Sequence, residues 1–302
     1  MTTIRTSPKK ARTPQAKTQA LWDAIGAVAE DYERMSVRQL YYQLVSRGVI
    51  EKTEAAYKRV CDASAQMRLD GRLPYQKIAD GHRTRRGVFA HGGLGEALET
   101  AHDLYRRNYW IDQPCYVEVW SEKDALTGVI QPVCQRYGVT YVATRGFPSI
   151  TLRYESAIAL MKIGKPTAVL YFGDHDASGQ KISDNLEAEL RHHGANVWVR
   201  RIALNPDHVR RYALPTRPGK QSDSRQAAFT KRFGDASVEL DALPPDALTD
   251  LVETSIWEYI EPEQWRQSMD VEALERKTLA SITELGWRME PGKTYSLGEE
   301  TA

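Results

Sequence analysis

The sequence predicts an α/β protein in which a small helical domain precedes a mostly parallel, Rossmann-like β-sheet. Two observations support this prediction. Residues 19–70 carry apolar side chains at helical spacing, whereas residues 116–202 alternate short apolar strands with amphipathic helices. Strands that alternate with helices are typical of a parallel sheet covered on both faces.

The front part of the chain predicts three short helices. The first covers about residues 19–32, where apolar side chains recur every three or four positions. The second begins at Ser36, which forms a capping-box pattern with Gln39. The third follows Thr53 and continues to about Asp70.

A basic segment follows these helices. It contains Arg83, Arg85 and Arg86, and Lys58 lies on the third helix itself. Three helices followed by an extended basic segment are typical of a winged helix, although the helices alone fit any small helical domain. We predict that these four cations bind DNA by contacting its phosphates.

The charge of the chain is unevenly distributed. Residues 1–112 carry 19 Lys and Arg against 13 Asp and Glu, a balance of +6, whereas residues 113–302 have a balance of −5. A basic front half and an acidic rear half favour a nucleic-acid-binding module joined to a metal-binding one. Ordinary scatter of surface charge explains the same numbers.

Composition restricts the class of protein. The 302-residue chain is 41% hydrophobic and 27% charged, which is typical of globular proteins. No apolar run approaches the length of a membrane span, so no membrane association is expected. The three cysteines form no CxxC pair, which argues against a zinc site or a disulfide framework and favours a cytoplasmic location.

The rear part predicts four strands and three helices in alternation. The predicted strands are 116–120, 139–143, 167–172 and 197–202, and the predicted helices are 123–137, 149–163 and 178–193. Functional side chains in such sheets lie at the carboxyl ends of the strands.

Acidic residues occur at two of these strand ends. Glu122 follows the first strand, and Asp174 and Asp176 follow the third. Three carboxylates around one point provide the hard oxygen ligands that Mg²⁺ prefers. The alternative is that Asp174 and Asp176 merely cap the next helix, as acidic residues commonly do.

Three motifs resemble one family. Ser121-Glu122-Lys123-Asp124-Ala125 resembles the VEKDA motif of the Toprim domain in topoisomerase VI A subunits and the meiotic double-strand-break transesterase. The segment 143–149, Ala-Thr-Arg-Gly-Phe-Pro-Ser, is similar to the next strand end of that family, and the segment 174–179 resembles its DxDPxG motif with alanine replacing proline. The resemblance implies a Toprim fold and bound Mg²⁺ held by the acidic triad Glu122, Asp174 and Asp176.

A fourth motif resembles the tyrosine helix of the same family. Residues 38–42, Arg-Gln-Leu-Tyr-Tyr, are similar to its R-D-I-Y-Y sequence, in which the second tyrosine attacks DNA. The resemblance implies that Tyr42 is the nucleophile, and Arg38 is a candidate to stabilise the phosphate bidentately. Helical geometry places Tyr41 on the apolar stripe and Tyr42 off it, so we expect Tyr42 to face outward. A half-exposed tyrosine that only hydrogen-bonds a phosphate has the same pattern.

The resemblance also implies partners. The family's tyrosine works with the metal site of another protomer, which implies a homodimer acting on double-stranded DNA. Topoisomerase VI needs an ATP-binding B subunit, and this chain shows no GxxxxGK[ST] motif, so a separate ATPase subunit is a candidate partner.

The division into domains follows these patterns. Residues 1–18 are expected to form a basic disordered tail, 19–111 a winged-helix domain, 112–205 a Toprim core and 206–302 an extension packed on it. The extension resembles the family poorly.

Two segments of the extension carry more specific expectations. Residues 238–245 are predicted to be a strand or turn against the core. Glu239 and Asp241 could add carboxylates to the acidic site, but surface placement is favoured. Residues 263–285 are predicted to be helical. Their candidate packing residues are Trp265, Val271, Leu274 and Leu279.

Three functions fit the sequence. The first is a DNA-breaking transesterase that forms a covalent tyrosyl–DNA link. The second is a Toprim nuclease that hydrolyses DNA with magnesium and water and uses Tyr42 for binding alone. The third is a non-enzymatic winged-helix DNA-binding protein, against which the complete acidic triad argues.

Overall fold

The structure, a computed structural model, describes residues 16–79, 90–219 and 225–286. Its helices are α1 (Ala16–Asp31), α2 (Val37–Ser46), α3 (Glu54–Leu69), α4 (Leu94–Leu104), α5 (Thr127–Arg136), α6 (Ile150–Ile163), α7 (Ala177–His192), α8 (Pro206–Arg211), α9 (Gln226–Phe233), α10 (Pro245–Trp257) and α11 (Pro262–Gly286). Its strands are β1 (Met35–Ser36), β2 (Ile78–Ala79), β3 (Tyr116–Ser121), β4 (Thr140–Ala143), β5 (Thr167–Phe172), β6 (Val197–Ala203), β7 (Arg217–Pro218) and β8 (Ala236–Ser237).

The second and third front helices begin where their caps predict, whereas the first begins at Ala16, before its predicted start at about residue 19. Ser36 accepts a hydrogen bond from the backbone N–H of Gln39, whose side chain accepts one from the N–H of Ser36 in return. Thr53 caps α3 in the same way, through the N–H of Ala56. These contacts satisfy backbone donors that the first turn of a helix leaves free, so the predicted starts of these two helices are confirmed.

The central sheet contains four parallel strands in the order β4-β3-β5-β6. Every residue of β3 and β5 is buried. Burial at consecutive positions means that both faces of the sheet are covered, because successive side chains point to opposite faces. The predicted α/β class and mostly parallel sheet are therefore confirmed.

Two pairs of helices cover this sheet. α6 contacts α7, and α5 contacts α10, a helix of the C-terminal extension that the sequence pattern did not predict. Right-handed crossovers place α5 on one face and both α6 and α7 on the other. The extension therefore completes the layer that α5 begins.

The rest of the extension reaches both parts of the chain. The turn at Leu240–Ala242 packs against α2, and α11 packs against α4. Trp265 on α11 is buried, as predicted, with its ring against Tyr109 and Trp110. Leu274 is 63% exposed, so its predicted packing role was wrong.

Val271 was also predicted to pack, and it is 37% exposed. Both errors have one cause: α11 contacts the molecule along a single narrow stripe, and apolar residues elsewhere on the helix lie outside that stripe.

The front part of the chain contains α1, α2 and α3 with a short parallel pairing of β1 and β2. The predicted wing cations Arg83, Arg85 and Arg86 lie outside the described residues, as does most of the predicted tail. Among the helices that are described, none combines the length and the apolar character needed to cross a membrane.

Candidate functional site

The candidate site begins where β3 and β5 end side by side. Ser121 is in register with Phe172, so the residues that follow the two strands emerge at the same edge of the sheet. The backbone N–H of Glu122 donates to the carbonyl of Phe172 over 2.9 Å. The N–H of Asp174 donates to Oε2 of Glu122 over 3.0 Å. The sheet thus brings together two of the three predicted acids.

The third acid, Asp176, stands at the start of α7. Its Oδ1 accepts a hydrogen bond from the N–H of Gly179 over 2.8 Å, so it caps the helix. A Cβ atom at Gly179 would lie 2.3 Å from the carbonyl oxygen of Asp174 and 3.1 Å from Oε2 of Glu122. Glycine is therefore required for the close approach of the α7 start to the other two acids.

A lysine ammonium stands among the carboxylates. Nζ of Lys123 lies 2.8 Å from Oδ2 of Asp174, 3.7 Å from Oδ2 of Asp241 and 3.9 Å from Oε2 of Glu239. Burial opposes its charge, but the three carboxylates outweigh this and hold the pKa of Lys123 above its usual range. Lys123 is therefore a resident cation of the cluster.

The segment from Ala236 to Ala242 closes over the strand ends. His175 and Val238 exchange two backbone hydrogen bonds of 2.8 and 3.0 Å. The N–H of Leu240 donates to Oδ1 of Asp174 over 2.8 Å. The prediction that this segment packs against the core is confirmed.

The two acids of that segment are not at the surface. Glu239 is 7% exposed and Asp241 is fully buried, so their predicted surface placement was wrong. The backbone hydrogen bonds between His175 and Val238 hold this segment against the strand ends, so both carboxylates lie at the site. This contact joins residues far apart in the sequence, and local sequence does not reveal it. The cluster therefore contains two more carboxylates than the predicted triad.

The tyrosine helix packs on the same segment. Nη1 of Arg38, in the first turn of α2, donates to Oε2 of Glu239 over 3.0 Å. The guanidinium also lies over the ring of Tyr57, 5.1 Å from its centre. Arg217 of β7 pairs with the other oxygen of Glu239 at 2.8 Å. Glu239 thus joins α2 to the acidic cluster within one chain.

Tyr42 lies one turn after Arg38, on the same face of α2. Its exposed fraction is 3%, so the predicted outward placement was wrong. Nζ of Lys52 lies 5.3 Å from the centre of the Tyr42 ring and donates to the carbonyl of Pro215 over 2.9 Å. The face that is polar by helical periodicity is therefore covered by the C-terminal extension.

This environment affects the acidity of the Tyr42 hydroxyl. Burial raises its pKa well above the usual range, and the nearby carboxylate of Glu239 raises it further. Arg38 and Arg217 oppose the shift with smaller effect. Tyr41, predicted to lie in the core, is buried and donates to the carbonyl of Thr53 over 3.3 Å.

Crowding of the carboxylates raises their pKa values. Burial, and then the neighbouring Asp174, raise the pKa of Glu122 to about 7. Burial raises the pKa of Asp241 to about 6, against the attraction of Lys123. Like charges that share a buried site favour protonation unless a cation compensates them. A bound cation therefore stabilises the cluster most above neutral pH, where these carboxylates are charged.

Arg201 fixes the backbone around these acids. Its guanidinium donates to the carbonyl oxygens of Gly173, Asp174 and Gly179, which hold the turn between β5 and α7. Sequence analysis missed this residue. The available signal was an arginine inside the apolar strand β6, where a buried charge requires such partners.

The donor set fits magnesium. The acids supply hard oxygens, and the absent side chain of Gly179 lets the start of α7, with Asp176, approach Asp174 and Glu122. As the side chains stand, no three His, Cys, Asp or Glu residues in the described ranges form a ready metal-binding group. Lys123 occupies the Asp174 oxygen that a metal ion would use.

The predicted DNA-binding residue Lys58 is exposed on α3.

No family model matches the chain, and a comparison with curated proteins gave no match.

Proposed function

We propose that the protein breaks double-stranded DNA by transesterification, with Tyr42 as the nucleophile. In this proposal the front helices belong to a winged helix and the sheet to a Toprim domain of the topoisomerase VI A type. Glu122, Asp174 and Asp176 bind Mg²⁺, and the active form is a homodimer. Lys58 and the three arginines of the predicted wing contact the DNA backbone.

One observation carries the proposal. Arg38 pairs with Glu239 at 3.0 Å, Glu239 lies 3.9 Å from Lys123, and Lys123 pairs with Asp174 at 2.8 Å. This chain of ion pairs connects the tyrosine motif to the acidic motif across more than a hundred residues of sequence. Two motifs that meet within one chain support a common task, because their positions in the sequence do not require them to meet. The homodimer is proposed from the family resemblance and not from this contact.

The chain's own residues account for most of the required chemistry. The Tyr42 hydroxyl gives up its proton as its oxygen forms a bond to phosphorus. One phosphorus–oxygen bond of the DNA backbone breaks, and the leaving deoxyribose oxygen takes up one proton, so protons and bonds balance. Arg38 donates two N–H groups to the phosphate, whose negative charge grows as the bond forms. Magnesium, when bound, stabilises the same charge and orients the leaving oxygen.

Tyr42 needs to be uncovered before this reaction. The residue is 3% exposed, and Lys52 spans from its ring to Pro215. DNA reaches the hydroxyl when the Lys52–Pro215 contact opens. Lys52 and Arg38 are both cations, so the phosphates of bound DNA offer them replacement partners.

The burial of Tyr42 also favours a second function. A buried tyrosine with a raised pKa is a poor nucleophile, whereas a metal-activated water needs no tyrosine. Under this alternative the protein is a magnesium-dependent nuclease that hydrolyses DNA. Tyr42 then helps to hold α2 against the acidic cluster.

Tyr42→Phe separates the two functions, and Tyr41→Phe is its matched control. The proposal predicts that labelled DNA stays attached to the wild-type protein on denaturing electrophoresis. Tyr42→Phe should lose both cleavage and attachment at saturating DNA, and Tyr41→Phe should keep them. A lost binding hydrogen bond of about 1.5–3 kcal/mol would be overcome by more DNA, but a missing nucleophile would not.

Near-normal cleavage by Tyr42→Phe, without DNA attached to the wild-type protein, would establish the hydrolytic alternative. The metal requirement is tested with Glu122→Gln, which keeps an oxygen to accept the N–H of Asp174. Asp174→Ala is less suitable, because Asp174 also binds Leu240 and Lys123 and its loss would disturb the fold.

A further inference from the structure

Asp241 is a buried carboxylate whose charge is incompletely compensated. It is fully buried, and neither of its oxygens accepts a hydrogen bond from any residue that the structure describes. The nearest cation, Nζ of Lys123, is 3.7 Å from Oδ2, beyond hydrogen-bonding distance. A buried carboxylate without donors is costly, and it is found mainly where it binds a cation.

Two carboxylate oxygens face the ammonium of Lys123. Oδ2 of Asp174 and Oδ2 of Asp241 both face the ammonium, at 2.8 and 3.7 Å, from opposite sides of the contact between β5 and the segment 236–242. The other oxygen of Asp174 accepts the N–H of Leu240, which keeps its carboxylate in this orientation. Two carboxylates are thus fixed around one point that a cation already occupies.

Lys123 is able to leave that point. Its side chain is 22% exposed, so part of it reaches solvent, whereas the Asp241 side chain is fully buried. A divalent ion with hard-oxygen preference would compensate two buried carboxylates better than one ammonium that hydrogen-bonds to one of them.

We infer that Asp241 is a fourth carboxylate ligand of the metal centre, and that Asp174 and Asp241 bind a divalent cation in exchange for the Lys123 ammonium. Metal binding then releases Lys123 toward solvent. This inference rests on the proposed metal site, since Asp174 belongs to both, but it does not depend on the nucleophile. It also gives the segment 236–242 a direct part in the chemistry.

Binding of Mn²⁺ to the full-length protein without DNA tests the inference, with free Mn²⁺ followed by electron paramagnetic resonance. Asp241→Asn should weaken Mn²⁺ binding by about tenfold or more. Lys123→Met, which removes the competing charge, should strengthen it by at least about fivefold. Glu118→Gln is the matched control: it replaces a buried acid of β3 that lies outside the cluster and should leave the affinity unchanged.

Unchanged Mn²⁺ affinity in either Asp241→Asn or Lys123→Met would overturn the inference. If Glu122→Gln and Asp176→Asn lose Mn²⁺ while these two variants do not change, the proposed triad survives and the inference fails. If Asp241→Asn loses Mn²⁺ while Glu122→Gln retains it, the inference stands and the triad fails.

Should Lys123→Met be less stable than the wild type, the effect of Mn²⁺ on its melting temperature tests the same exchange. Mn²⁺ should then raise its melting temperature more than that of the wild type, because the ion replaces the missing cation. An equal or smaller rise would overturn the exchange of lysine for metal.

Discussion

Replacing Glu239 by glutamine tests whether ion pairs hold the tyrosine helix against the acidic cluster. The carboxylate accepts a hydrogen bond from Arg38 at 3.0 Å and forms an ion pair with Arg217 at 2.8 Å, and its own side chain is 9% exposed. Glutamine keeps the shape and one acceptor oxygen but removes the charge. We expect a loss of folding stability with little change in backbone structure.

The magnitude follows from these two contacts. A hydrogen bond between charged groups, such as that from Arg38, contributes about 1.5–3 kcal/mol. The ion pair with Arg217 adds to this in the same direction. The side chains of Arg38 and Arg217 are 38% and 33% exposed, so water screens the pairs and rehydrates the arginines when Glu239 is lost. We therefore expect Glu239→Gln to lower the free energy of unfolding by about 1–3 kcal/mol.

The pH dependence has a definite sign. Burial raises the pKa of Glu239, but Lys123, Arg38 and Arg217 outweigh it and hold the pKa below its usual range. The stabilisation is therefore complete above the unfolded-state pKa of about 4.5 and is lost as pH falls through the lower folded-state value. The difference between Glu239→Gln and wild type should be full at pH 7 and shrink in strong acid.

Urea denaturation at pH 7 measures the effect, and a double-mutant cycle with Arg38→Met isolates one pair. We expect a coupling energy of about 0.5–2 kcal/mol for Arg38 and Glu239. The matched control is the pair Glu263 and Arg266 on α11, whose side chains are 68% and 65% exposed and whose coupling should be near zero. Equal coupling in the two cycles would refute the argument that Glu239 joins α2 to the cluster.

Three further predictions use the same structure. Burial raises the pKa of Glu118 to about 7. The free energy of unfolding therefore falls by about 3 kcal/mol as pH rises from 4.5 to 8, because the folded state keeps a proton that the unfolded state loses. Glu118→Gln should flatten that part of the stability profile measured by urea denaturation. Gly179→Ala forces a Cβ to within 2.3 Å of the carbonyl of Asp174 and should lower the melting temperature, whereas Gly95→Ala, with open space, should not. Trp265→Ala should cost about 3–5 kcal/mol in unfolding free energy, and a loss below about 1 kcal/mol would contradict its core role.

Features set by neighbouring residues could be predicted from the sequence. The capping box of Ser36 and Gln39 fixes the start of α2, and a run of apolar residues fixes β5 at Thr167–Phe172. The adjacency of Glu122 and Asp174 also follows, because parallel strands end at one edge of a sheet. Each of these depends on local hydrogen bonds or on a general rule of sheet geometry.

Features set by distant contacts could not be predicted. Helical periodicity places Tyr42 off the apolar stripe, yet Lys52 and the segment near Pro215 bury it. Asp241 lies in an ordinary-looking acidic stretch, and its burial follows from backbone bonds between His175 and Val238. Such contacts join residues from some sixty to more than a hundred and sixty positions apart, and no local pattern encodes them.

The ion pairs that bury Tyr42 also suggest how it would be released under the proposed function. Arg38 binds the carboxylate of Glu239, and Lys52 binds backbone carbonyls of the extension. DNA phosphates bind both of these cations as well or better. Exchange of these partners for phosphates costs little, because each cation keeps a partner throughout. The Glu239 carboxylate, freed from Arg38, would remain beside Lys123 and so strengthen the negative field at the acids. DNA binding and metal binding would then favour each other through a single side chain.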